Sequence, residues 1–505
     1  MKNKSSQKGS CLAVFGTGSD VGKSIVATAL CRCFVDRGFR TAPYKAQNMS
    51  NNSGVTPEGL EMGRAQIVQA EAARIPPHVD MNPVLLKPTS DIGSQVVLLG
   101  KILENSTAAE YHRKKEHLFS TAANALDRLR EKYDVMVMEG AGSCAEINLM
   151  DHDIVNLPMA EYAQAPVILV ADIHKGGVFA QIVGTLACLP EKHRDRIAGF
   201  IINRFRGDIS LFEDGVNWIE GETGKKVFGV LPWYKHIRIE AEDSVVIENP
   251  GRNQQPVGNE PVIAVVRLPH ISNFTDFEPL DGFKGVSLKF IENIEDLLSY
   301  RAVILPGSKS TRSDLDWLKV TGWDKKICQY AGSGGHILGI CGGYQLLGTM
   351  VHDPEGIEGR PGSTPGLGLL PVETELKAPK TTTLTRFNRR EISGTGYEIH
   401  MGRTFRKGGL PLFSVNTRNG EACREEDGCI TADGRIAGTY MHGLFDSPGV
   451  TRHWLESIGL GNINVPEIYG PDARDHEYDL LAEHFSQHVN IEGIQRYLTR
   501  PKSDF

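Results

Sequence analysis

The chain has 505 residues, more than one ordinary hydrophobic core accommodates, and this length predicts at least two domains. Hydrophobic residues make up 40% and charged residues 23% of the chain, which is typical of a globular protein in water. The net charge of -7 gives no basic surface for nucleic acid, and no apolar run reaches the ~18 to 20 residues of a membrane span. The start, MKNKSSQKGS, is polar and lacks the apolar region of a signal peptide. We therefore expect a cytoplasmic protein that binds neither nucleic acid nor a membrane.

Strand-like apolar runs alternate with helical patterns through the first half of the chain. Dense Val, Ile and Leu runs of this kind are typical of parallel strands covered on both faces. They lie at 11–15, 40–45, 133–140, 165–173, 197–204 and 226–233, and a helical pattern at 24–38 follows the first. The stretch at 248–261 is rich in Pro, Gly, Asn and Gln and indicates a linker.

A second α/β series follows the linker, with apolar runs at 262–268, 286–291, 302–307 and 336–343 and a polar helical tail from about 450 to 500. Alternation of strand and helix argues for doubly wound sheets. We therefore predict an α/β protein with two doubly wound domains, one at 1–250 and one at 251–505 that includes the helical tail.

The segment GTGSDVGKS (16–24) lies between the first strand and its helix, where a phosphate-binding loop belongs. Backbone N–H groups at the helix start would face phosphate, Lys23 would neutralise its charge, and Ser24 would offer a hydroxyl to Mg²⁺. The alternative is a glycine-rich turn that only opens the helix. Thr17 stands where the usual loop has its first glycine.

The form Gly-Thr-x-x-Asp-x-Gly-Lys-Ser resembles that of dethiobiotin synthetase and its relatives, which phosphorylate a carboxylate or carbamate. The resemblance implies an ATP-binding synthetase domain at 1–250. The residues it implies for nucleotide binding are Thr17, Gly18, Asp20, Val21, Gly22, Lys23 and Ser24. Asn203, after a later strand, is a further candidate for contact with the base, although a turn-forming asparagine is a comparable interpretation.

Three further segments are similar to the same family: GFRTAPYK, MNPVLLKPTS and VMEGAGS. Lys45 matches the lysine that holds the substrate's charged group. Glu139 follows a buried strand, where a carboxylate can reach Mg²⁺ together with Ser24, or can be a strand-end acid in solvent. The family's further metal-binding aspartate has no clear match, because the corresponding stretch is EMGRAQIVQA (61–70).

GICGGYQLLG places Cys341 between glycines after an apolar run. Small neighbours permit the sharp strand-to-helix turn of a nucleophile elbow, where the helix start favours a thiolate; a buried structural cysteine is the alternative. His442, in GTYMHGLF, is a candidate base. This pair resembles the class I glutamine amidotransferases, and LPGSKST (305–311) lies where they keep the oxyanion-stabilising loop.

The resemblance departs after the histidine, because Leu444 occupies the position of the usual glutamate. This leaves a Cys341–His442 dyad or an orienting group from elsewhere in the chain. Glu398, in GYEIHMGRT, could serve, and His400 is interpreted as a satisfied polar residue beside the site. We predict a working dyad that Glu398 at most orients.

A phosphoryl-transfer site and a glutaminase site on one chain suggest ATP-driven amidation. The combination is similar to the cobyric acid synthase family over most of the chain, with KAQNMSNNS and NFTDFEPL as its specific segments. The resemblance implies Lys45, Gln47 and Asn48 as substrate-binding residues. It implies ATP and Mg²⁺ as cofactors, with a corrinoid and glutamine as the other small-molecule substrates. The reaction implied is amidation of the b, d, e and g carboxylates of adenosylcobyrinic acid a,c-diamide.

Two alternatives remain at this stage. The related a,c-diamide synthases share both domains and amidate other carboxylates. A P-loop switch protein would use ATP to control a partner, and the segments around Cys341 and His442 argue against it. CTP synthase, which joins related domains, keeps the glutamate that this chain lacks.

Overall fold

The computed structural model describes residues 8–90, 93–234, 237, 260–467 and 470–498. Most of the predicted linker at 248–261 lies outside the described residues. The strands of the first domain are β1 (Ser10–Gly16), β2 (Thr41–Tyr44), β3 (Gln47–Met49), β4 (Ser53–Val55), β5 (Glu61–Gly63), β6 (Val84–Ser90), β7 (Gly93–Leu98), β8 (Lys101–Thr107), β9 (Val135–Glu139), β10 (Val167–Asp172), β11 (Ile197–Phe205) and β12 (Lys226–Pro232). Its helices are α1 (Lys23–Asp36), α2 (Arg64–Ala72), α3 (Ala108–Arg113), α4 (Lys115–Lys132), α5 (Leu157–Ala163), α6 (Val178–Cys188), α7 (Glu191–Asp195) and α8 (Glu213–Thr223).

The central sheet of the first domain has the order β12-β11-β10-β1-β9-β2, and all its strands are parallel. Buried hydrophobic clusters line both of its faces, as the apolar runs predicted. Because the strands are parallel, their carboxyl ends meet at one edge of the sheet, which is where ligands bind in such folds. The segment after β1 and Glu139 at the end of β9 both lie at this edge.

Two smaller sheets follow β2 and interrupt the alternating pattern. One has the order β3-β6-β7-β8, and the other is the antiparallel hairpin of β4 and β5. The hairpin leads directly into α2. These short strands lie in the segment where the sequence analysis predicted substrate-binding residues.

The strands of the second domain are β13 (Val262–Val266), β14 (Ile271–Ser272), β15 (Ser287–Ile291), β16 (Ala302–Leu305), β17 (Gly307–Ser308), β18 (His336–Ile340), β19 (Met350–Asp353), β20 (Gly362–Pro365), β21 (Val372–Glu375), β22 (Thr381–Arg389), β23 (Ile392–His400), β24 (Arg403–Arg406), β25 (Phe413–Arg418), β26 (Glu421–Asp427), β27 (Cys429–Ile430) and β28 (Ile436–Thr439). The remaining helices are α9 (Thr311–Thr321), α10 (Trp323–Gly332), α11 (Gly342–Leu347), α12 (Pro448–Ser457), α13 (Pro471–His488) and α14 (Ile491–Leu498).

The second central sheet has the order β15-β13-β16-β18-β28-β27, parallel except for the β27–β28 pair. The second domain also contains two separate four-stranded sheets, with the orders β20-β19-β21-β24 and β23-β22-β25-β26. The prediction of two α/β domains with mainly parallel central sheets is therefore confirmed.

The C-terminal helices α13 and α14 pack on the first domain. Leu481 and Phe485 of α13 belong to the same buried cluster as Leu30 and Phe34 of α1. The buried guanidinium of Arg32 pairs with Asp475 and, at 3.5 Å, with Asp479. The helical tail thus returns from the second domain to the helix that begins at Lys23. No helix within the described ranges combines the length and apolar character needed to cross a membrane.

Candidate active sites

The segment after β1 has the backbone geometry of a tight loop that opens a helix. Gly22 has φ 96°, and a Cβ there would lie 2.1 Å from Asn203 Nδ2. The Asn203 amide donates to Val21 O at 2.9 Å, and its own Oδ1 accepts the N–H of Arg204. Asn203, on β11, therefore contacts the loop at Val21, and its contact with a nucleotide base stays a prediction.

Three other predicted loop residues, Lys23, Asp20 and Thr17, form hydrogen bonds or ion pairs. The Lys23 ammonium donates to Gly18 O at 3.0 Å and to Gly142 O at 2.8 Å, so the loop lies beside the segment that follows Glu139. Asp20 pairs with Arg204 at 3.0 Å. The Thr17 hydroxyl donates to Gln181 at 3.3 Å.

Glu139 brings together two of the predicted residues of the first domain, Ser24 and Lys45. Its side chain is buried and accepts from Ser24 Oγ at 2.9 Å and from Lys45 Nζ at 2.8 Å, both on Oε1. The Gln69 amide of α2 donates to Oε2. A helix-start hydroxyl, a lysine and a carboxylate thus lie together at the carboxyl edge of the parallel sheet.

Gln47 and Asn48 lie on β3, next to Lys45. The Asn48 amide donates to Gln66 Oε1 at 3.1 Å, and Gln47 Oε1 accepts from the Tyr111 hydroxyl. Asn48 is therefore connected to the Glu139 site through α2, whereas Gln47 contacts α3.

Cys341, in the second domain, has the backbone geometry that was predicted for a nucleophile elbow. It joins β18 to α11 with φ 54° and ψ -109°, a conformation that costs a non-glycine residue about 1–3 kcal/mol. A Cβ at Gly342 would lie 2.6 Å from Ser308 N, and one at Gly343 would lie 1.9 Å from Leu305 O. The flanking glycines are thus required by the close approach of the β16–β17 segment.

His442 is buried and lies beside Cys341, and its Nδ1 lies 2.6 Å from Asp276 Oδ2. Asp276 Oδ1 accepts the N–H of Gly443 at 3.0 Å, so the carboxylate is also bound to the residue that follows His442. Burial lowers the pKa of His442, but the charges of Asp276 and Cys341 outweigh it and raise the pKa to about 10. The imidazole of His442 is therefore held as the cation.

Glu398, the predicted candidate for orienting His442, is bound by other groups, and the predicted dyad is corrected by the presence of Asp276 beside the imidazole. Its carboxylate accepts from Arg418 at 2.9 Å and from Thr385 at 3.0 Å, and it lies 3.4 Å from His400. His400 also contacts Gly402 O, which confirms its interpretation as a satisfied polar residue. The carboxylate that contacts His442 is that of Asp276.

Comparison with known proteins connects these two sites with a family. Residues 12–246 match the CobQ/CobB/MinD/ParA nucleotide binding domain, and residues 262–450 match the CobB/CobQ-like glutamine amidotransferase domain. A cobyric acid synthase of Chlorobium phaeobacteroides (strain DSM 266) is 50% identical, with 97% of each chain covered. One of Chlorobaculum tepidum is 50% identical over 96% of this chain and 97% of its own, and one of Salmonella typhimurium is 48% identical over 95% and 96%. The chain belongs to the cobyric acid synthase family.

Membership of the cobyric acid synthase family makes the chain a glutamine-hydrolysing amide ligase of cobalamin biosynthesis with a nucleotide-binding domain. The family resemblance drawn from the sequence is thereby confirmed.

The residues around Glu139 fit a magnesium ion. Mg²⁺ takes oxygen ligands and needs only one or two carboxylates, since phosphates and water complete its shell. Ser24 Oγ and Glu139 are such ligands, and the adjacent Gln69 Oε1 is a buried oxygen with no hydrogen-bond partner among the described residues. No group of three or more His, Cys, Asp or Glu side chains with metal-site geometry occurs in the described part of the chain.

Two residues of these sites, Asp276 and Gln69, were not predicted from the sequence. Asp276 lies within NFTDFEPL, a segment noted only as characteristic, and it meets His442 because β14 and the turn after it pack beside the elbow. Gln69 lies in the stretch where an aspartate was expected, and an amide side chain there does not match that pattern.

Proposed function

We propose that the chain uses ATP to phosphorylate carboxylates of a corrinoid and converts each into an amide with ammonia from glutamine. The substrate proposed is adenosylcobyrinic acid a,c-diamide, amidated at its b, d, e and g carboxylates to give adenosylcobyric acid. The observation that supports this is the presence on one chain of the Lys23–Ser24–Glu139–Lys45 cluster and the Cys341–His442–Asp276 cluster. We place the reaction in the cytoplasm, without nucleic acid.

A carboxylate is a poor electrophile at neutral pH, so it must be activated. Its oxygen attacks the γ-phosphorus of ATP, ADP leaves, and the product is an acyl phosphate. Lys23 and Lys45 offset the negative charges that this step brings together. Ammonia then attacks the acyl carbon, the C–O bond to phosphate breaks, and the proton lost by the nitrogen leaves with inorganic phosphate as the amide forms.

We propose that Mg²⁺ is held by Ser24 and Glu139, with Gln69 Oε1 as an additional oxygen. When bound, the ion would offset charge on the ATP phosphates during phosphoryl transfer. The loop residues Thr17, Gly18, Asp20, Val21 and Gly22 would surround the phosphates.

The second cluster supports glutamine hydrolysis through a thioester. The Cys341 thiolate attacks the side-chain amide carbon of glutamine, and His442 gives a proton to the nitrogen that leaves as ammonia. Water, with His442 as base, then hydrolyses the thioester to glutamate. Asp276 keeps the imidazole oriented with Nε2 available for these transfers.

The oxyanion of this reaction has two backbone donors beside Cys341. The N–H of Lys309 donates to His270 O, so residues 270 and 309 form a hydrogen-bonded pair of the antiparallel β14–β17 ladder. Pairs alternate in such ladders, so the N–H of Ser308 points away from β14. Ser308 packs against Gly342. We propose that the N–H groups of Ser308 and Gly342 stabilise the oxyanion.

Incubation of the protein with the a,c-diamide, ATP, Mg²⁺ and glutamine tests the proposal, with the product weighed by mass spectrometry. The expected mass corresponds to four carboxyl-to-amide conversions, with one ADP and one glutamate formed per amide. Unchanged diamide together with amidation of unamidated cobyrinic acid would favour the a,c-diamide synthase alternative. ATP turnover with no amide formed from either corrinoid would favour the switch protein.

A further inference from the structure

A buried cluster of charges joins the two domains. Glu61 of β5 is 1% exposed; its Oε1 accepts from Lys87 Nζ at 2.7 Å, and its Oε2 accepts from Lys380 Nζ at 2.6 Å. Glu61 and Lys87 belong to the first domain, whereas Lys380 immediately precedes β22 of the second. Burial raises the pKa of Glu61, but the two lysines outweigh it and hold the pKa far below its usual range.

The cluster continues through hydrogen bonds to the glutaminase site. Ser53 of β4 donates its hydroxyl to Glu61 at 2.8 Å and its backbone N–H to Asn273 Oδ1 at 3.0 Å. The Asn273 amide donates to the Tyr397 hydroxyl at 3.4 Å. The Tyr397 ring stacks on the His442 ring, with centroids 5.2 Å apart and planes 19° from parallel.

Asn273 is also close in sequence to the group that orients His442. It has φ 52° and ψ 42° and precedes the turn that carries Asp276. A left-handed asparagine at this point sets the direction of the turn, and its side-chain oxygen is bound by Ser53 of the other domain. Asn273 thus links the first domain to both neighbours of the catalytic imidazole, Tyr397 and Asp276.

We propose that the β4–β5 hairpin of the synthetase domain completes the glutaminase site by fixing the position of Asn273. The hairpin is itself held against the second domain by the ion pairs of Glu61 with Lys87 and Lys380. Lys380 and Asn273 are positioning residues, because they act on His442 through Tyr397 and Asp276. This proposal rests on the proposed glutamine hydrolysis. Its consequence is that glutamine turnover depends on correct docking of the synthetase domain.

Lys380→Gln in the full-length chain is the informative variant. It leaves Glu61 paired with Lys87, so no buried carboxylate loses all its charged partners. We expect the kcat of glutamine hydrolysis to fall on the order of tenfold, with little change in the KM for glutamine, since misplacement of a catalytic group affects turnover. Asn273→Ala should act in the same way, and Lys380→Arg should recover much of the lost turnover.

Lys377→Gln is the matched control, because Lys377 is an exposed lysine three positions upstream. Amidation from added ammonium salt should be unchanged in every variant, which also shows that the synthetase reaction is intact. Folded Lys380→Gln and Asn273→Ala variants with unchanged glutamine turnover would overturn the inference. So would an equal loss in Lys377→Gln, or an equal loss of glutamine-dependent and ammonium-dependent amidation. Absence of amidation in the unaltered protein would instead contradict the proposed function.

Discussion

The imidazole of His442 is held by a carboxylate that lies 166 positions earlier in the chain. Asp276→Asn keeps the shape of that side chain and removes its charge. We expect the kcat of glutamine hydrolysis to fall roughly 100-fold, equivalent to about 2.7 kcal/mol, because the ring loses its orientation and the stabilisation of its cationic form. Steady-state glutaminase assays on the folded variant measure this.

Glu398→Gln is the matched control for Asp276→Asn. It removes the charge of another buried carboxylate in the same domain, but that carboxylate contacts His400 and Arg418. We expect less than about a tenfold loss of turnover, or 1.4 kcal/mol. Equal losses in the two variants would contradict the assignment of Asp276 as the orienting group.

The raised pKa of His442 predicts where glutamine hydrolysis fails at high pH. The imidazolium persists below the raised pKa of about 10 and is lost as the pH rises through it, so turnover should decline there. Asp276→Asn removes one of the charges that raise this pKa, and the decline should move to lower pH. A pH profile of kcat in the two proteins checks the shift, and an unmoved alkaline limb would refute it.

Part of the candidate site could be predicted from local sequence, and part could not. Short glycine-containing sequence patterns determine the backbone conformation around Lys23, Ser24 and Cys341. Asp276 has no such pattern, because its role arises from a contact with His442 that depends on how distant segments pack. The absence of the usual glutamate at Leu444 left two possibilities open, a dyad or an orienting group from elsewhere in the chain, and it did not identify Asp276.

The helix α13 follows the second domain in the chain, but its buried side chains complete the core of the first domain. Phe485 is 1% exposed among residues of α1 and β1. Phe485→Ala should lower the free energy of unfolding by about 3–5 kcal/mol through lost apolar contact and a cavity. Urea unfolding measures this change.

Glu483→Ala is the control on the same helix, because Glu483 is exposed. A change within about 0.5 kcal/mol is expected there. Equal stability of the unaltered protein and Phe485→Ala would show that α13 does not contribute to the core of the first domain.

The parallel strands were predictable because strands buried on both faces form dense apolar runs, and all ten apolar runs contain an observed strand. The short strands β3 to β5 were not predicted, since three-residue strands carry little pattern of their own. The return of α13 to the first domain was not predictable either. A helical pattern identifies an apolar face without identifying the surface that covers it.

Changes in the phosphate-binding loop and changes in the glutaminase site should affect amide formation differently. Lys23→Ala removes the ammonium that lies between Gly18 O and Gly142 O. We expect it to abolish amide formation with either glutamine or ammonium salt as nitrogen donor, because no acyl phosphate forms. Amide formation close to that of the unaltered protein would contradict the phosphoryl-transfer role of this loop.

The most direct test of two cooperating sites is the choice of nitrogen donor in Cys341→Ser. This variant, checked for folding, is incubated with the corrinoid diamide, ATP and Mg²⁺, and with either glutamine or ammonium salt at raised pH, and the amides are counted by mass spectrometry. Because Cys341 only releases ammonia in this account, amidation from glutamine should be lost while amidation from ammonium salt is retained. Equal loss with both donors would contradict the separation of the two sites.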